Sequence, residues 1–385
     1  MKFENSKYSK IWESDEGRLI VDTILRDPNL IRANNTFWTT KFKVDSQITP
    51  TNQEGEAVFK SKMRPMTSGV LMDMRAPLGD STPMDVKGIS AYTGVIPDFI
   101  TKGTVEKATE RWYKEKNFEQ FGDARLLAQY ATEVLQDKVD SANQTLSYMS
   151  AYLLSRGNLS YLQGEGIQDN LYKAAIPAEN FDTAGAKVWS DKTARILDQM
   201  VEKEEKFKDL WGVENISLQW EMSRKTFREC FLQNEQVIEW VRYVNVINNT
   251  PLPEKLVIND EMAMAAILKF AGVSPIVIIE EKQTDLNNGV VNGWKDGVAV
   301  LRPAGYAGLI RHTSILDTEI FSKYANKVNS YNFSKTLNGL LTIMNSVVVN
   351  GNFKEWHTDG LMAAIPTLDE FLYHVIIDTT TADRA

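Results

Sequence analysis

Apolar residues in the first half of the chain recur at spacings of three and four, which is the period of an α-helix. No proline occurs between Pro97 and Pro177. Asp123 can cap the first turn of a helix in this interval, and Gly157 can adopt the left-handed conformation that ends one. The pattern therefore predicts one amphipathic helix of about 34 residues, about 50 Å long. Its apolar face is formed by Leu127, Ala131, Val134, Leu135, Val139, Ala142, Leu146, Met149 and Leu153.

Before this helix, apolar and polar residues alternate with the two-residue period of a β-strand. In residues 57–64, Phe59 and Met63 fall on one face, and the other face carries Val58, Lys60, Lys62 and Arg64. Residues 70–75 alternate in the same way, and prolines, which are tolerated mainly at strand edges and turns, interrupt the segment. We expect a long hairpin with its tip near residues 79–81. It should lie on another surface, because isolated two-stranded ribbons are marginal in water.

The rest of the chain predicts an α+β fold. Residues 1–50 hold only short apolar clusters and are predicted to form an arm. A second amphipathic helix is predicted from Asp191 to Gly212. A small α/β layer follows, with strands at residues 256–258, 276–279 and 298–301 and a helix at residues 261–270. The last third is rich in strand-like runs, at residues 340–349, 361–365 and 371–377.

The composition is that of a globular protein, with 43% hydrophobic and 24% charged residues. A chain of 385 residues is long enough for two cores or one elaborate domain. A net charge of -8 argues against nucleic-acid binding that is driven by counterion release. The single cysteine excludes an internal disulfide, and the polar N-terminus does not resemble a signal peptide, so we expect an intracellular origin. The longest uncharged stretch, residues 336–353, contains several asparagines, and we expect no membrane span.

Residue types that usually carry out catalysis are scattered in this sequence. No histidine has a second histidine or a cysteine at the spacing of a metal site; the histidines are His312, His357 and His374. Cys230 lies between charged and aromatic neighbours, which favours packing over nucleophilic use. Glu280 and Glu281 are adjacent at a strand end and so point to opposite faces, which favours surface charges over an acid/base pair.

Glycines at positions 164–166 and 305–308 match neither a phosphate-binding loop nor a dinucleotide fingerprint, so turn formation explains them. The sequence therefore predicts no catalytic residue, no cofactor and no metal ion, and a protein that is not an enzyme.

Three segments carry a family resemblance. Residues 277–303 contain VIIEE and then LNNGVVNGWKDGVAVLRP, which resembles a strand, Asn-Gly loop and apolar strand of the lambda-type major capsid family of tailed bacteriophages. Trp294 and Lys295 stand where that family has a proline. The motif VWSD at residues 188–191 and the motif TLDEF at residues 367–371 resemble two further segments of the family. With the order of predicted elements, the resemblance spans most of the chain.

The resemblance implies the tailed-phage major capsid fold, with an N-terminal arm (1–50), an extended hairpin loop (51–100) and a peripheral domain with a long spine helix (101–184). An axial domain (185–303) and the return strands of the peripheral domain (304–385) would follow. The implied function is a major capsid protein that self-assembles into hexamers and pentamers of the icosahedral shell that encloses phage DNA. Its location would be the virion, after assembly in the cytoplasm of the host bacterium.

The resemblance also implies partners. The hairpin would grip a neighbouring subunit, and its expected contact residues are Lys60, Lys62, Met63, Arg64, Met72, Met74 and Arg75. A separate scaffold protein and a portal are expected, because residues 1–50 are short for a scaffolding segment and show no heptads. DNA would be enclosed without sequence-specific binding. Two alternatives stay open: a shell protein of a cellular nanocompartment with the same fold, and an uncharacterised α+β enzyme.

Overall fold

A computed structural model describes residues 19, 23–26, 36–50, 57–63, 90–101, 123–161, 168–211, 216–247, 258–270, 272–280, 282–285, 289–313, 328–350 and 353–383. The chain forms two compact units. The first unit comprises Met1–Phe59, Val95–Ser147 and Leu309–Pro366, and the second unit comprises Lys60–Gly94, Tyr148–Gly308 and Thr367–Ala385.

The described helices are α1 (Phe37–Lys41), α2 (Asp123–Arg156), α3 (Ile196–Trp211), α4 (Arg224–Phe231), α5 (Glu235–Ile247) and α6 (Asp260–Ile267). The described strands are β1 (Phe42–Ile48), β2 (Ala57–Met63), β3 (Ser90–Ile96), β4 (Asp98–Thr101), β5 (Asn158–Tyr161), β6 (Gln168–Lys173), β7 (Phe181–Thr183), β8 (Leu218–Ser223), β9 (Ile276–Ile279), β10 (Lys282–Asp285), β11 (Gly289–Asn292), β12 (Val298–Pro303), β13 (Gly308–His312), β14 (Val328–Thr336), β15 (Leu341–Asn350), β16 (Phe353–Leu368) and β17 (Val375–Asp378).

The first unit is built on a six-stranded sheet with the order β1-β13-β16-β15-β14, and β4 also pairs with β16. Helix α2 crosses this sheet where β16 carries Gly360, and a Cβ added there would lie 3.4 Å from Cβ of Lys138. The buried face of the helix contributes Val139 and Leu146, which are 1% and 0% exposed. Trp38 donates from Nε1 to Oδ1 of Asn143 at 2.9 Å, which fixes α1 against this face.

The second unit is built on a five-stranded sheet with the order β7-β17-β12-β8-β9. Its central strand β12 is buried at every position, as expected for a strand covered on both faces. An aromatic cluster supports the unit: the ring centroid of Trp189 lies 5.8 Å from that of Trp220 and 5.9 Å from that of Phe231. Trp189 also donates from Nε1 to the Ala184 carbonyl at 3.1 Å, so its one polar atom is satisfied.

The long helix is confirmed, with 34 residues from Asp123 to Arg156. The second helix begins later than predicted, at Ile196, because Asp191 closes a turn in which its carboxylate accepts from the backbone and hydroxyl of Thr193, at 2.8 and 2.9 Å. Gly212 lies outside the described residues. Residues 371–373 were predicted as strand but form a short 3-10 helix, and the terminal strand is Val375–Asp378.

The predicted hairpin is described only near its base. Strand β2 pairs with β3 in a two-stranded sheet, and the predicted run at 70–75 and the tip at 79–81 lie outside the described residues. Likewise, residues 256–257 are outside them, and Ile258 is not in a strand. Within the predicted arm, Phe42 is 1% exposed and β1 pairs with β13, so this part of the segment belongs to the core of the first unit.

Candidate functional site at the C-terminal end of the long helix

The last turn of α2 and Gly157 after it contact polar groups from three other segments of the second unit. A helix leaves its final carbonyl groups without intrahelical donors. The Leu154 carbonyl is one of these, since Asn158, four residues further on, already belongs to β5. It accepts instead from Nε2 of His374, at 2.7 Å, and His374 itself is 2% exposed. A buried side chain from just before β17 therefore caps this helix.

Gly157 ends the helix in the way that the sequence predicts. Its φ is +73°, in the left-handed region, and its amide donates to the Leu153 carbonyl at 2.8 Å. Its own carbonyl accepts from the amide of Ala174 at 2.9 Å. A Cβ at this position would lie 2.7 Å from Cδ1 of Ile176, so both the conformation and the space require glycine.

Ser155 and Arg156 join the helix end to the loop before β12. Arg156 donates from Nη1 to the Gly293 carbonyl at 2.6 Å, and Lys295 donates its amide to Oγ of Ser155 at 3.1 Å. The Arg156 guanidinium also lies 3.9 Å from the centroid of the Tyr152 ring, a cation-π contact. Gly293 permits this approach, because a Cβ there would lie 2.9 Å from the carbonyl oxygen of Tyr148.

Behind His374 lies an ion pair between Arg302 of β12 and Glu221 of β8, with Nη2 and Oε1 separated by 2.9 Å. The pKa of His374 is lowered to about 4, chiefly by burial and to a smaller extent by the charge of Arg302, whereas the Leu154 carbonyl and Glu221 act in the opposite direction. Burial also raises the pKa of Glu370, against the opposing effect of Arg302. The imidazole is therefore neutral near pH 7, and its Nε2 carries the proton that Leu154 accepts.

A cleft of about 660 Å³ opens beside the first turn of α4. Arg224 and Arg228 both pair with Asp260, at 3.4 and 2.9 Å, and Lys225 pairs with Asp296 at 3.2 Å. Arg224 also contacts Glu280. Each of these three cations therefore has a carboxylate partner.

The predicted intersubunit residues are not brought together by the described part of the chain. Lys60, Lys62 and Met63 belong to β2, and only their backbone is described. Arg64, Met72, Met74 and Arg75 lie outside the described residues. Their role stays a prediction.

Two further sequence candidates, Cys230 and His312, are packed in the interior of the units to which they belong. Cys230 is 5% exposed, and burial raises its pKa to about 12, as expected for a packed thiol. His312 is 8% exposed and its Nε2 lies 3.0 Å from the Asp45 carbonyl oxygen. The side chain of His357 and residues 164–166 and 281 are outside the description. Gly308 is needed for close packing, because a Cβ there would lie 1.9 Å from the Thr367 carbonyl oxygen.

Sequence reasoning missed Arg302 and Glu221, and it did not assign a role to His374. One signal was present: Arg302 is the only charged residue in the strand Val298–Pro303. A charge within a buried apolar strand requires a buried partner. Nothing in the sequence identifies Glu221 as that partner, because the two residues are 81 positions apart.

Among the described residues, no helix is both long enough and apolar enough to cross a membrane. The same residues include no group of three or more His, Cys, Asp or Glu side chains that could hold a metal ion.

Comparisons with known proteins give structural likeness without sequence likeness. No family model matches the sequence, and no curated protein matches it. A solved structure of a prophage protein of E. coli CFT073, assigned as a capsid protein, aligns with a TM-score of 0.53 and 14% identity over 95% of this chain and 98% of that chain.

Two further solved structures align over similar lengths. A phage-related protein from Bordetella bronchiseptica RB50 gives a TM-score of 0.43 at 13% identity, over 92% of this chain and 97% of that chain. The capsid of the Myoviridae phage XM1 gives a TM-score of 0.41 at 11% identity, over 90% of this chain and 92% of that chain. The likeness to the prophage protein covers nearly all of both chains, and it confirms the α+β fold predicted from the sequence, that of tailed-phage capsid proteins.

Proposed function

We propose that this chain is the major capsid protein of a tailed bacteriophage and that it self-assembles into the icosahedral shell that encloses phage DNA. The observation that carries the proposal is the fold, which the chain shares over 95% of its length with a prophage protein assigned as a capsid protein. The role is structural and not enzymatic. The protein acts in the virion, after hexamers and pentamers form in the host cytoplasm with a separate scaffold protein and a portal.

An exposed apolar stripe on α5 supports self-association. Tyr243, Val246 and Ile247 are 54%, 69% and 61% exposed. They lie on one face of the helix because Val246 and Ile247 follow Tyr243 by three and four residues. The opposite face packs inward through Val237, Val241 and Val244. Three adjacent large apolar side chains in water mark a surface that a partner covers. For a shell subunit, that partner is a second copy of this chain.

The proposal is tested by imaging the purified chain in negative stain. We expect closed shells or ring-shaped capsomers, and a stable monomer at high concentration would overturn the proposal. Shells that contain a folded cargo protein and no DNA in the native host would favour the nanocompartment instead.

The α5 stripe is tested by the double variant Val246→Glu/Ile247→Glu. Both side chains are mostly exposed, so the subunit should stay folded while assembly is lost. The matched control is Ser217→Glu/Gln233→Glu, which adds the same charge at two exposed polar positions of the second unit. Normal particles from the stripe variant would show that α5 is not a contact surface, and they would leave the shell function standing.

The hairpin is the second proposed contact. The alternating sequence pattern predicts that Lys60, Lys62 and Arg64 fall near one face of the first strand, and the acidic remainder of the chain would offer them partners on a neighbouring subunit. Each exposed pair contributes only about 0.2 to 1 kcal/mol, but a shell repeats each contact many times. Changing all three residues to Glu should leave the subunit folded and block closed particles at moderate salt. The charge-preserving control, Lys60→Arg/Lys62→Arg/Arg64→Lys, should assemble.

A further inference from the structure

The last turn of α2 is attached to the rest of the second unit through one buried side chain, that of His374. The Leu154 carbonyl accepts a hydrogen bond from Nε2 of His374 at 2.7 Å. The neighbouring Leu153 carbonyl accepts one from the amide of Gly157. The backbone around the imidazole is held as well, since Asn180 donates from Nδ2 to the Leu372 and His374 carbonyl groups at 2.8 and 3.3 Å. The ring therefore has a fixed position between the helix end and the sheet.

The groups around the ring discriminate between its two charge states. Arg302, on β12, disfavours the imidazolium, whereas Glu221, on β8, favours it. These two residues are already paired with one another, so neither is available as a full counter-ion. Arg156, on the same turn of α2, directs its guanidinium to the Gly293 carbonyl. Arg302 also acts on Glu370, where its charge opposes the rise in pKa that burial causes. Burial away from water has the largest effect on the pKa of the ring, and it disfavours the protonated, charged form.

We propose that His374 is an acid-sensitive lock, in which the neutral ring closes the junction between α2 and the five-stranded sheet and protonation favours an open junction with a hydrated ring. The proposal concerns the second unit alone and does not depend on the capsid function.

The direction of the pH effect follows from linkage. The pKa of His374 is about 4 in the closed junction and 6.5 for an ordinary histidine. The open state therefore binds more protons between these values, and the stability of the closed junction is full above pH 6.5 and is lost as the pH falls towards 4. Lowering the pH from 7.5 to 5.0 should shift the equilibrium towards the open state by about 30-fold, and complete protonation by about 300-fold.

Hydrogen-deuterium exchange of the full chain tests the lock at pH 7.5 and 5.0, with rates corrected for intrinsic exchange. Peptides from residues 148–160 report on the junction, and peptides from residues 132–142 of the same helix serve as an internal reference. We expect protection to fall about 30-fold at the junction and to stay nearly constant in the reference. The variant His374→Gln keeps an N–H donor that does not titrate, so its junction should show no such pH dependence.

The matched control is His312→Gln, at a histidine that is also buried but lies in the first unit, and it should behave like the wild type. Equal pH dependence in wild type and His374→Gln would overturn the proposal. If His374→Gln does not fold, proton NMR of the wild type decides, because the chain has only three histidines to assign. A titration of His374 near pH 4 supports the lock, and one near 6.5 overturns it.

Discussion

Arg302 and Glu221 form an ion pair inside the five-stranded sheet, with side chains that are 2% and 0% exposed. They are diagonal neighbours on one face of two antiparallel strands, because Glu221 lies opposite Val300 in the register. The guanidinium also donates to the carbonyl groups of Pro303 and Gly305, each at 2.9 Å. One buried cation therefore fixes both a partner strand and the loop that follows β12.

Removing the cation should be costly. The variant Arg302→Met leaves the Glu221 carboxylate buried without its ion-pair partner, and breaking a buried pair in this way costs about 3 to 5 kcal/mol. Urea denaturation followed by tryptophan emission measures the loss, since Trp220 is adjacent to Glu221 in β8.

The control is the double variant Arg302→Met/Glu221→Leu, which replaces both charges with apolar groups. Such replacements are often neutral or stabilising, so the double variant should be more stable than Arg302→Met alone. A double variant that is less stable than the single one would show that the carboxylate was not the source of the cost.

Glycine at position 308 is required by packing. A Cβ there would lie 1.9 Å from the Thr367 carbonyl oxygen and 2.9 Å from the Asp369 amide nitrogen, and both are backbone atoms that cannot rotate away. Gly308→Ala should therefore lower the melting temperature strongly or prevent folding. Gly360→Ala is the matched change, because its Cβ would meet only side-chain atoms, at 3.4 Å or more. Equal stability of the two variants would contradict this account.

Helices and strands whose side-chain spacing and end signals lie within the segment itself were predictable from the sequence. The helix Asp123–Arg156 has the predicted start, and its end follows from Gly157. Strand β9 has the predicted bounds, 276–279, because a short run of β-branched residues there is followed by charges. In both segments the information is local, so side-chain spacing and end signals suffice.

Features that depend on distant parts of the chain were not predictable. Asp191 is as good a helix cap as Asp123 by residue type, but it closes a turn with Thr193, and the helix starts five residues later. His374 caps a helix that ends 218 positions before it in the sequence, since Arg156 is its last residue. No spacing rule relates such residues, because only the folded sheet brings them together.

A chain of hydroxyl groups holds the loop before β12 against α4. The Gly297 amide donates to Oγ1 of Thr226 at 2.9 Å. The hydroxyl oxygens of Thr226 and Ser223 lie within hydrogen-bond distance, 2.9 Å apart, and the Ser223 hydroxyl donates to Oδ1 of Asp296 at 2.8 Å. Thr226→Val keeps the shape of a side chain that is 1% exposed but removes the acceptor of the part-buried Gly297 amide. We expect a loss of about 1 to 3 kcal/mol in the free energy of unfolding. Thr226→Ser keeps the hydroxyl and should lose less, and the reverse order would contradict the role of the hydroxyl.

Cys230 should be inert in the folded protein. It is 5% exposed on the inner face of α4, and burial raises the pKa of its thiol to about 12, although a hydrogen bond with Thr379 acts in the opposite direction. At pH 8 only about one thiol in ten thousand is then a thiolate, the form that reacts with disulfide reagents. We expect no reaction with Ellman's reagent in buffer and one equivalent per chain after denaturation, since the chain has one cysteine. Cys230→Ser gives the background at each urea concentration. A rapid, stoichiometric reaction of the folded chain would show that Cys230 is accessible and that the packing of α4 differs from the one described.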